Sequence, residues 1–316
     1  MVAGQVRVAV VGLGDIGRGW AALCVAHGWP VAVYDHDARA QETGAEDVAR
    51  RAQGLLALVG ADAEAVDRGV SGLRQGRSLL QTCSDADWVI ESIHEDLIAK
   101  QKTLEALESA APKARAITSS SSTLHPEDLA ARCRRQDRIV VANPQNPPEL
   151  IPLVELLPGP ATDRALLELL KGWLRALGRI PVTLKKPVRG NVAGRIAAAV
   201  WREAIQLVLD GAVDVDDLDR AVSVGPALGW AAAGPHLSYR LAAGKRGVAG
   251  YVQHLFRSFE DIWPDLASWD HLEPQQQQQI IAHIERAYHD GVDNIRVARD
   301  RRLAAILQAL ETSRRE

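Results

Sequence analysis

The chain has few of the residues that organise disulfide-bonded, metal-binding or membrane-spanning proteins. Its three cysteines, Cys24, Cys83 and Cys133, are far apart in sequence and form no CxxC motif. This excludes a disulfide framework and a zinc knuckle, and no His, Asp or Glu spacing indicates a metal site. The longest uncharged window, residues 221–239, is interrupted by three glycines and two prolines, so we expect no membrane partner.

The chain also lacks a large net charge and has few aromatic residues other than tryptophan. With 37 Lys and Arg against 40 Asp and Glu, the net charge is −3, which is far from the basic excess of a nucleic-acid-binding protein. There are two phenylalanines and four tyrosines, yet eight tryptophans. The opening MVAGQVRVAVVG lacks the basic region and cleavage site of a signal peptide. We therefore expect a cytoplasmic protein that has no nucleic-acid partner.

What the chain has is alternation between short apolar runs and longer helical patterns. This alternation predicts an α/β domain with a mostly parallel sheet over residues 1–185, followed by an all-helical domain over residues 186–316. The second domain begins with a long helix predicted at Val192–Asp210. The predicted strands are Val6–Val11, Val31–Tyr34, Trp88–Glu91, Ala116–Ser119, Ile139–Ala142, Leu153–Leu156 and Pro181–Leu184.

A glycine-rich turn follows the first predicted strand and opens a helix. Gly12 permits a tight turn, Gly14 lets the backbone approach a pyrophosphate, and Gly17 lets the helix pack closely on the strand. Asp15 and Ile16 lie at the helix N-terminus, where the helix dipole favours an anion. This pattern predicts dinucleotide binding, although a glycine turn that binds nothing is the alternative.

The residue that ends the second predicted strand indicates which dinucleotide binds. Asp35 lies 18 positions after Gly17, close to the spacing of about 20 at which a carboxylate accepts the adenine ribose hydroxyls. A carboxylate repels a 2′-phosphate, so NAD(H) is favoured over NADP(H). Arg39 leaves some NADP(H) tolerance open, and Asp35 as an ordinary surface acid is the alternative.

Several further motifs occur in a characteristic order. They are Glu91–Gln101, Ser119–Ser122, Asn143–Pro148, Leu153–Glu155, Gly229–Ala231 and Gly234–Leu241. In sequence and spacing they resemble the 3-hydroxyacyl-CoA dehydrogenase superfamily, over almost the whole chain. Within it, the last two motifs are most similar to the L-carnitine dehydrogenase and lambda-crystallin (L-gulonate 3-dehydrogenase) branch.

The resemblance implies a Rossmann-type domain that binds NAD(H), a helical substrate domain, a small-molecule substrate and a homodimer. It also implies hydride transfer between nicotinamide and a 3-hydroxy or 3-oxo acid. Ser122 corresponds to a serine that holds the substrate oxygen, and Glu155 to a glutamate that orients a catalytic histidine. Glu95 and Lys100 match a pair near the nicotinamide ribose.

Two catalytic positions depart from the family pattern. Asn143 stands where the family has its histidine, and Gly194 stands where it has an asparagine, next to a retained Arg195. An asparagine does not titrate, so general acid–base catalysis of alcohol oxidation is expected to suffer. An iminium substrate already carries its proton, and we therefore hypothesise C=N reduction, arisen naturally or by engineering, as an alternative.

The sequence leaves three functions open, namely a dehydrogenase of 3-hydroxy acids, an imine reductase, and a crystallin-like protein that binds NAD without turnover. Trp230, Tyr239 and His236 belong to the segment that contacts substrate in the similar branch. The aromatic faces of Trp230 and Tyr239 suit a cation or an aromatic imine, whereas His236 is a candidate replacement acid. A tryptophan among alanines is also typical of a helical core.

Overall fold

A computed structural model describes residues 6–289 and 291–315. The chain divides into two compact units. The first, here called the sheet unit, extends to Arg195 and also includes Arg299–Ala309. The second, the helical unit, comprises Ile196–Ala298 and the residues from Leu310 onward. The boundary expected at residues 185 and 186 stays a prediction.

The sheet unit contains an eight-stranded, mostly parallel sheet in the order β3-β2-β1-β4-β5-β6-β7-β8. Only the β6–β7 pair is antiparallel among its seven pairings. This confirms the α/β class with a helical domain after it. The strands are β1 Val8–Val11, β2 Val31–Tyr34, β3 Arg74–Gln75, β4 Trp88–Glu91, β5 Ala116–Ser119, β6 Ile139–Pro144, β7 Leu153–Pro158 and β8 Ile180–Thr183.

Helices cover both faces of this sheet, which explains the continuous apolar runs of its central strands. Val8 and Val10 join one hydrophobic cluster, whereas Ala9 and Val11 join another on the opposite face. The helices of this unit are α1 Asp15–Ala26, α2 Ala38–Val59, α3 Ala63–Gly72, α4 Leu79–Cys83, α5 Leu97–Ala110, α6 Pro126–Leu129 and α7 Arg164–Ala176.

Three of the eight tryptophans build the core of the sheet unit. Trp88 stacks on Trp173 and meets Trp20 edge-on, with ring centroids 5.8 Å apart in both pairs. The buried indole of Trp88 donates a hydrogen bond of 2.9 Å to the Thr118 hydroxyl. These rings therefore serve packing, and the N–H of Trp88 is satisfied inside the core, whereas that of Trp20 has no hydrogen-bond partner among the described residues.

No strand follows β8 in the described part of the chain, as predicted. The long helix predicted at Val192–Asp210 is confirmed as Asn191–Leu209. The remaining helices are α8 Asn191–Leu209, α9 Val215–Val224, α10 Pro226–Ala233, α11 Pro235–Ala242, α12 Gly247–Ile262, α13 Pro274–Ala287 and α14 Val292–Arg315. Part of α14 belongs to the sheet unit, where Leu303 packs against the hydrophobic cluster that contains Val8 and Val10.

Within the described residues, no helix is long and apolar enough to cross a membrane. The same residues contain no group of three or more His, Cys, Asp or Glu side chains placed to hold a metal ion.

Candidate active site

The three glycines of the turn between β1 and α1 have different surroundings. Gly12 has a φ of 96°, and a Cβ there would lie 2.5 Å from the Ser92 carbonyl. A Cβ on Gly17 would lie 1.8 Å from the Gly12 carbonyl oxygen. A Cβ on Gly14 would meet nothing within 4 Å. Gly12 and Gly17 are thus required by packing, whereas Gly14 leaves the turn accessible to a ligand.

Gly14 opens onto a cavity of about 430 Å³ at the carboxyl ends of β1, β2 and β4. Ligands of doubly wound α/β sheets bind at this edge. The cavity combines backbone N–H groups at a helix start with one acidic strand end, which fits the adenosine and pyrophosphate of a dinucleotide. Its lining residues are Gly12, Leu13, Gly14, Asp15, Ile16, Asp35, His36, Asp37, Ala40, Ser92, Ile93 and His94.

Asp35 lies in this cavity and also braces the turn. One carboxylate oxygen accepts a hydrogen bond of 2.6 Å from the Leu13 amide, and the other accepts one of 2.9 Å from the Asp37 amide. The oxygen bound to Asp37 also lies 3.2 Å from the His36 ring nitrogen, and the oxygen bound to Leu13 keeps a lone pair for a ribose hydroxyl. The preference for NAD(H) over NADP(H) stays a prediction.

The other two turn residues face different surroundings. Asp15 begins α1 and its side chain is 67% exposed, with an oxygen 2.7 Å from Arg51. Ile16 packs against the hydrophobic cluster that contains Val8 and Val10. Ile16 therefore offers a ligand its backbone N–H, while Asp15 also brings a negative charge to the turn.

A buried ion pair supports the next loop of the site. Lys100 and Glu91 are almost completely buried, and their charged atoms are 2.8 Å apart. Lys100 also donates to the Ile93 carbonyl at 3.1 Å and lies 3.6 Å from Glu95. Glu91 accepts hydrogen bonds from the Ile93 amide and the Ser119 hydroxyl. Lys100 thus supports Glu95 from inside the fold.

Glu95 organises the loop that carries Ser122. One of its oxygens accepts hydrogen bonds from the Ser121 hydroxyl at 2.6 Å, from the Ser122 amide at 3.0 Å, and from both the amide and hydroxyl of Thr123. Burial alone would raise the pKa of Glu95, but these hydrogen bonds and Lys100 lower it below 4.5. The carboxylate is ionised at neutral pH and holds exposed Ser122 at the end of β5.

Asn143 and Glu155 are direct cross-strand partners on β6 and β7. Side chains at such positions are neighbours, with Cβ atoms about 4.5–5.5 Å apart. Glu155 is 2% exposed, and its Oε1 accepts hydrogen bonds from the amides of Val192 and Ala193 in the first turn of α8. Its Oε2 is buried and has no hydrogen-bond partner among the described residues. One oxygen of Glu155 thus caps a helix, and the other is available.

Gly194 lies in the same first turn of α8. It is exposed, and a Cβ there would have open space around it. Packing therefore does not require glycine at this position. Glu155 binds the two residues that precede Gly194 at the start of α8, so the structure places these two predicted residues near each other.

The three predicted residues of the helical unit lie on α10 and α11. Trp230 is half-buried, His236 is exposed, and Tyr239 packs edge-on against Phe259 at 5.6 Å. Tyr239 therefore has a packing role within its own unit. Contact of these side chains with a substrate stays a prediction.

Sequence reasoning assigned no role to Glu91 or Arg51. Glu91 had a visible signal, because it is a carboxylate inside an otherwise apolar strand, and burial there demands a charged partner. Arg51 had none, because its partners Asp15 and Glu149 lie 36 and 98 positions away. Such contacts follow only from the fold.

Comparison with known proteins agrees with this geometry. Residues 7–187 match the family described as 3-hydroxyacyl-CoA dehydrogenase, NAD binding domain, which implies a nicotinamide cofactor. Residues 190–283 match the 3-hydroxyacyl-CoA dehydrogenase C-terminal domain.

Individual relatives match along nearly the whole chain. An L-carnitine dehydrogenase from Nocardiopsis dassonvillei is 32% identical, covering 96% of this chain and 91% of its own. One from Streptomyces coelicolor is 33% identical, covering 96% and 94%. The solved structure of 5-formyl-3-hydroxy-2-methylpyridine 4-carboxylic acid 5-dehydrogenase, an NAD⁺-dependent dismutase, is 26% identical with a TM-score of 0.79, covering 96% and 98%. The chain belongs to the 3-hydroxyacyl-CoA dehydrogenase family.

Proposed function

We propose that this chain is an NAD(H)-dependent oxidoreductase that reduces the C=N bond of a small iminium substrate. The observation that carries the proposal is the pairing of Asn143 with Glu155 across β6 and β7. In our proposal Asn143 occupies the position of the family's acid–base histidine. An amide there exchanges no proton with a substrate near neutral pH.

The two reductions differ in their need for a proton. Reduction of a ketone adds a hydride to carbon and a proton to oxygen, and a positioned acid contributes about 10²–10⁴-fold to that step. A protonated imine takes the hydride at carbon and becomes a neutral amine, so its nitrogen needs no further proton. A site that lacks a titrating group opposite Glu155 is therefore better suited to the iminium ion.

Glu155 supplies the electrostatic part of this proposal. Its buried and unpartnered Oε2 is costly unless a cation or a donor approaches it. An iminium ion supplies both a positive charge and an N–H donor. A fixed carboxylate in a site without water interacts strongly with that positive charge. The Asn143 amide and the Ser122 hydroxyl would flank the nitrogen and orient it, because a cyclic iminium ion has only one N–H to donate.

The dinucleotide would lie on the turn at Gly14, with its ribose hydroxyls at Asp35 and its nicotinamide end towards Glu95. When bound, the reduced nicotinamide supplies the hydride. Glu95 and Lys100 hold the Ser122 loop in place, and Glu155 anchors the start of α8.

The test is turnover of a panel of cyclic imines with NADH, followed at 340 nm between about pH 6 and 9, where a general acid would titrate. We expect NADH consumption with amine formation by wild type, and loss of about 10²–10³-fold in kcat for Glu155→Gln. Glu105→Gln, on the exposed face of α5, is the matched control. Absence of imine turnover at every pH contradicts the proposal.

A second candidate is oxidation of a 3-hydroxy acid, which the L-carnitine dehydrogenase relatives favour. Reduction of NAD⁺ by carnitine or a 3-hydroxy acid, faster than any imine reaction, would select it. Tight NADH binding by calorimetry without turnover of either substrate class would instead indicate a binding protein without catalysis.

A further inference from the structure

A basic side chain from another helix reaches the phosphate turn. Arg51 of α2 places one terminal nitrogen 2.7 Å from the Asp15 carboxylate and the other 3.1 Å from Glu149. The latter nitrogen is also 3.5 Å from the Asp15 carbonyl oxygen. The Arg51 side chain is 26% exposed, so its guanidinium is held in place yet accessible from solvent.

Asp15 makes this contact significant for an anion. It is the first residue of α1, whose backbone N–H groups face the cavity where a pyrophosphate is expected. A lone carboxylate at this point would repel the phosphates, because like charges a few ångströms apart oppose each other strongly. A guanidinium bound to Asp15, such as that of Arg51, offsets this negative charge.

Arg51 is better placed for this task than the neighbouring Arg18. Arg18 forms an ion pair of 2.9 Å with Asp47 and a hydrogen bond to the Thr43 hydroxyl, both of which are on α2. Arg51 instead contacts the turn itself. Because both terminal nitrogens are held by carboxylates, the guanidinium loses little conformational freedom when one of its remaining N–H groups donates to a phosphate oxygen.

We propose that Arg51 is a cofactor-binding residue that contacts the pyrophosphate of the dinucleotide, with Asp15 and Glu149 positioning its guanidinium. The inference rests on dinucleotide binding at this turn. It is independent of whether the second substrate carries a C=N or a C–O bond.

Competition against NADH fluorescence tests the inference with ligands that carry or lack the pyrophosphate. For Arg51→Met we expect the affinity for ADP and ADP-ribose to fall about 10- to 100-fold, the range of charge-assisted hydrogen bonds, while adenosine affinity stays within about twofold. The ADP affinity of Arg51→Lys should lie between those of wild type and Arg51→Met, because lysine keeps the positive charge but lacks the planar N–H donors of the guanidinium. Equal losses for ADP and adenosine, or no loss, would overturn the proposal.

ADP binding measured for Arg51→Met in an Asp15→Asn protein separates direct contact with the pyrophosphate from simple neutralisation of Asp15. In Asp15→Asn the carboxylate is removed, so an Arg51 that merely screens it becomes irrelevant to ADP binding. Direct contact predicts that Arg51→Met still weakens ADP binding about tenfold or more in that background. Disappearance of the effect would overturn the proposal. Failure of wild type to bind ADP would overturn it too, whereas failure of imine turnover alone overturns only the proposed reaction.

Discussion

The two units of this chain bury their apolar residues to very different extents. In the sheet unit the residues of β1, β4 and β5 are all buried, and two hydrophobic clusters cover the two faces of the sheet. Among its described residues, the helical unit has one small cluster of five buried residues, Ile205, Val208, Val215, Leu218 and Ile280. Many of its large apolar side chains are exposed, among them Trp201, Val224 and Leu241 at 64–66%.

This difference separates a core that one chain completes from a unit that leaves many large apolar side chains exposed. Contiguous exposed apolar patches mark interaction sites in stable proteins. We propose a homodimer whose contact covers the exposed apolar residues of the helical unit. The sheet unit, by contrast, should depend on its own buried groups for stability.

The largest effect is expected inside the sheet unit. Lys100→Met leaves Glu91 buried without its cation, and breaking such a pair costs about 3–5 kcal/mol of unfolding free energy. Lys113→Met breaks the exposed pair with Asp85, and we expect a much smaller loss because water screens this pair. Urea unfolding of both variants measures the contrast. Equal losses would show that the buried pair is not a support of this unit.

In the helical unit a substitution should act on assembly. Trp201→Asp places a charge on the exposed apolar face of α8 and should weaken dimerisation by about 2–4 kcal/mol, the range of interface hot spots. Gln278→Asp introduces the same charge at an exposed polar position of α13 as a control. Sedimentation velocity over a concentration series measures both. A wild-type monomer at every concentration would refute the proposed dimer.

Two glycines of one turn should separate stability from binding. Gly17→Ala places a Cβ against the Gly12 carbonyl and should cost about 1–3 kcal/mol of stability through overpacking. Gly14→Ala meets open space in the protein, so it should leave stability nearly unchanged and weaken NADH binding. Thermal melts with and without NADH measure both effects. A stability loss at Gly14 would contradict the assignment of its open side to a ligand.

The smallest effect is a pH dependence in the helical unit. A hydrogen bond to Asp219, aided by burial, raises the pKa of Tyr288 from 10 to about 12. Because the folded pKa is raised, this contribution to stability is complete below pH 10 and disappears as pH rises through 12. Absorbance at 295 nm should show a tyrosine titration near pH 12 in wild type that is lost in Tyr288→Phe.

The sequence predicted the sheet better than the site, for physical reasons. A buried parallel strand such as β1 is apolar without interruption, so composition alone locates it. β3 is two exposed polar residues, Arg74 and Gln75, and its pairing with β2 depends on the completed sheet. Such a short strand leaves no periodicity to detect.

Within the site, local motifs were accessible and long-range contacts were not. The glycine turn and Asp35 follow from spacing along one βαβ segment. The bond from Glu155 to the first turn of α8 spans 37 positions, and the Arg51 to Glu149 contact spans 98. These contacts depend on how helices and loops return to the sheet edge, which no local pattern encodes.

The central claim is that an asparagine opposite Glu155 directs the site towards C=N reduction. Its most direct measurement compares wild type with Asn143→His on one cyclic imine and one 3-hydroxy acid, with NADH affinity as the control for folding. We predict that histidine raises alcohol oxidation about 100-fold or more, the contribution of a general base, and lowers imine reduction. Unchanged rates on both substrates would contradict the claim and show that residue 143 does not face the reacting atoms.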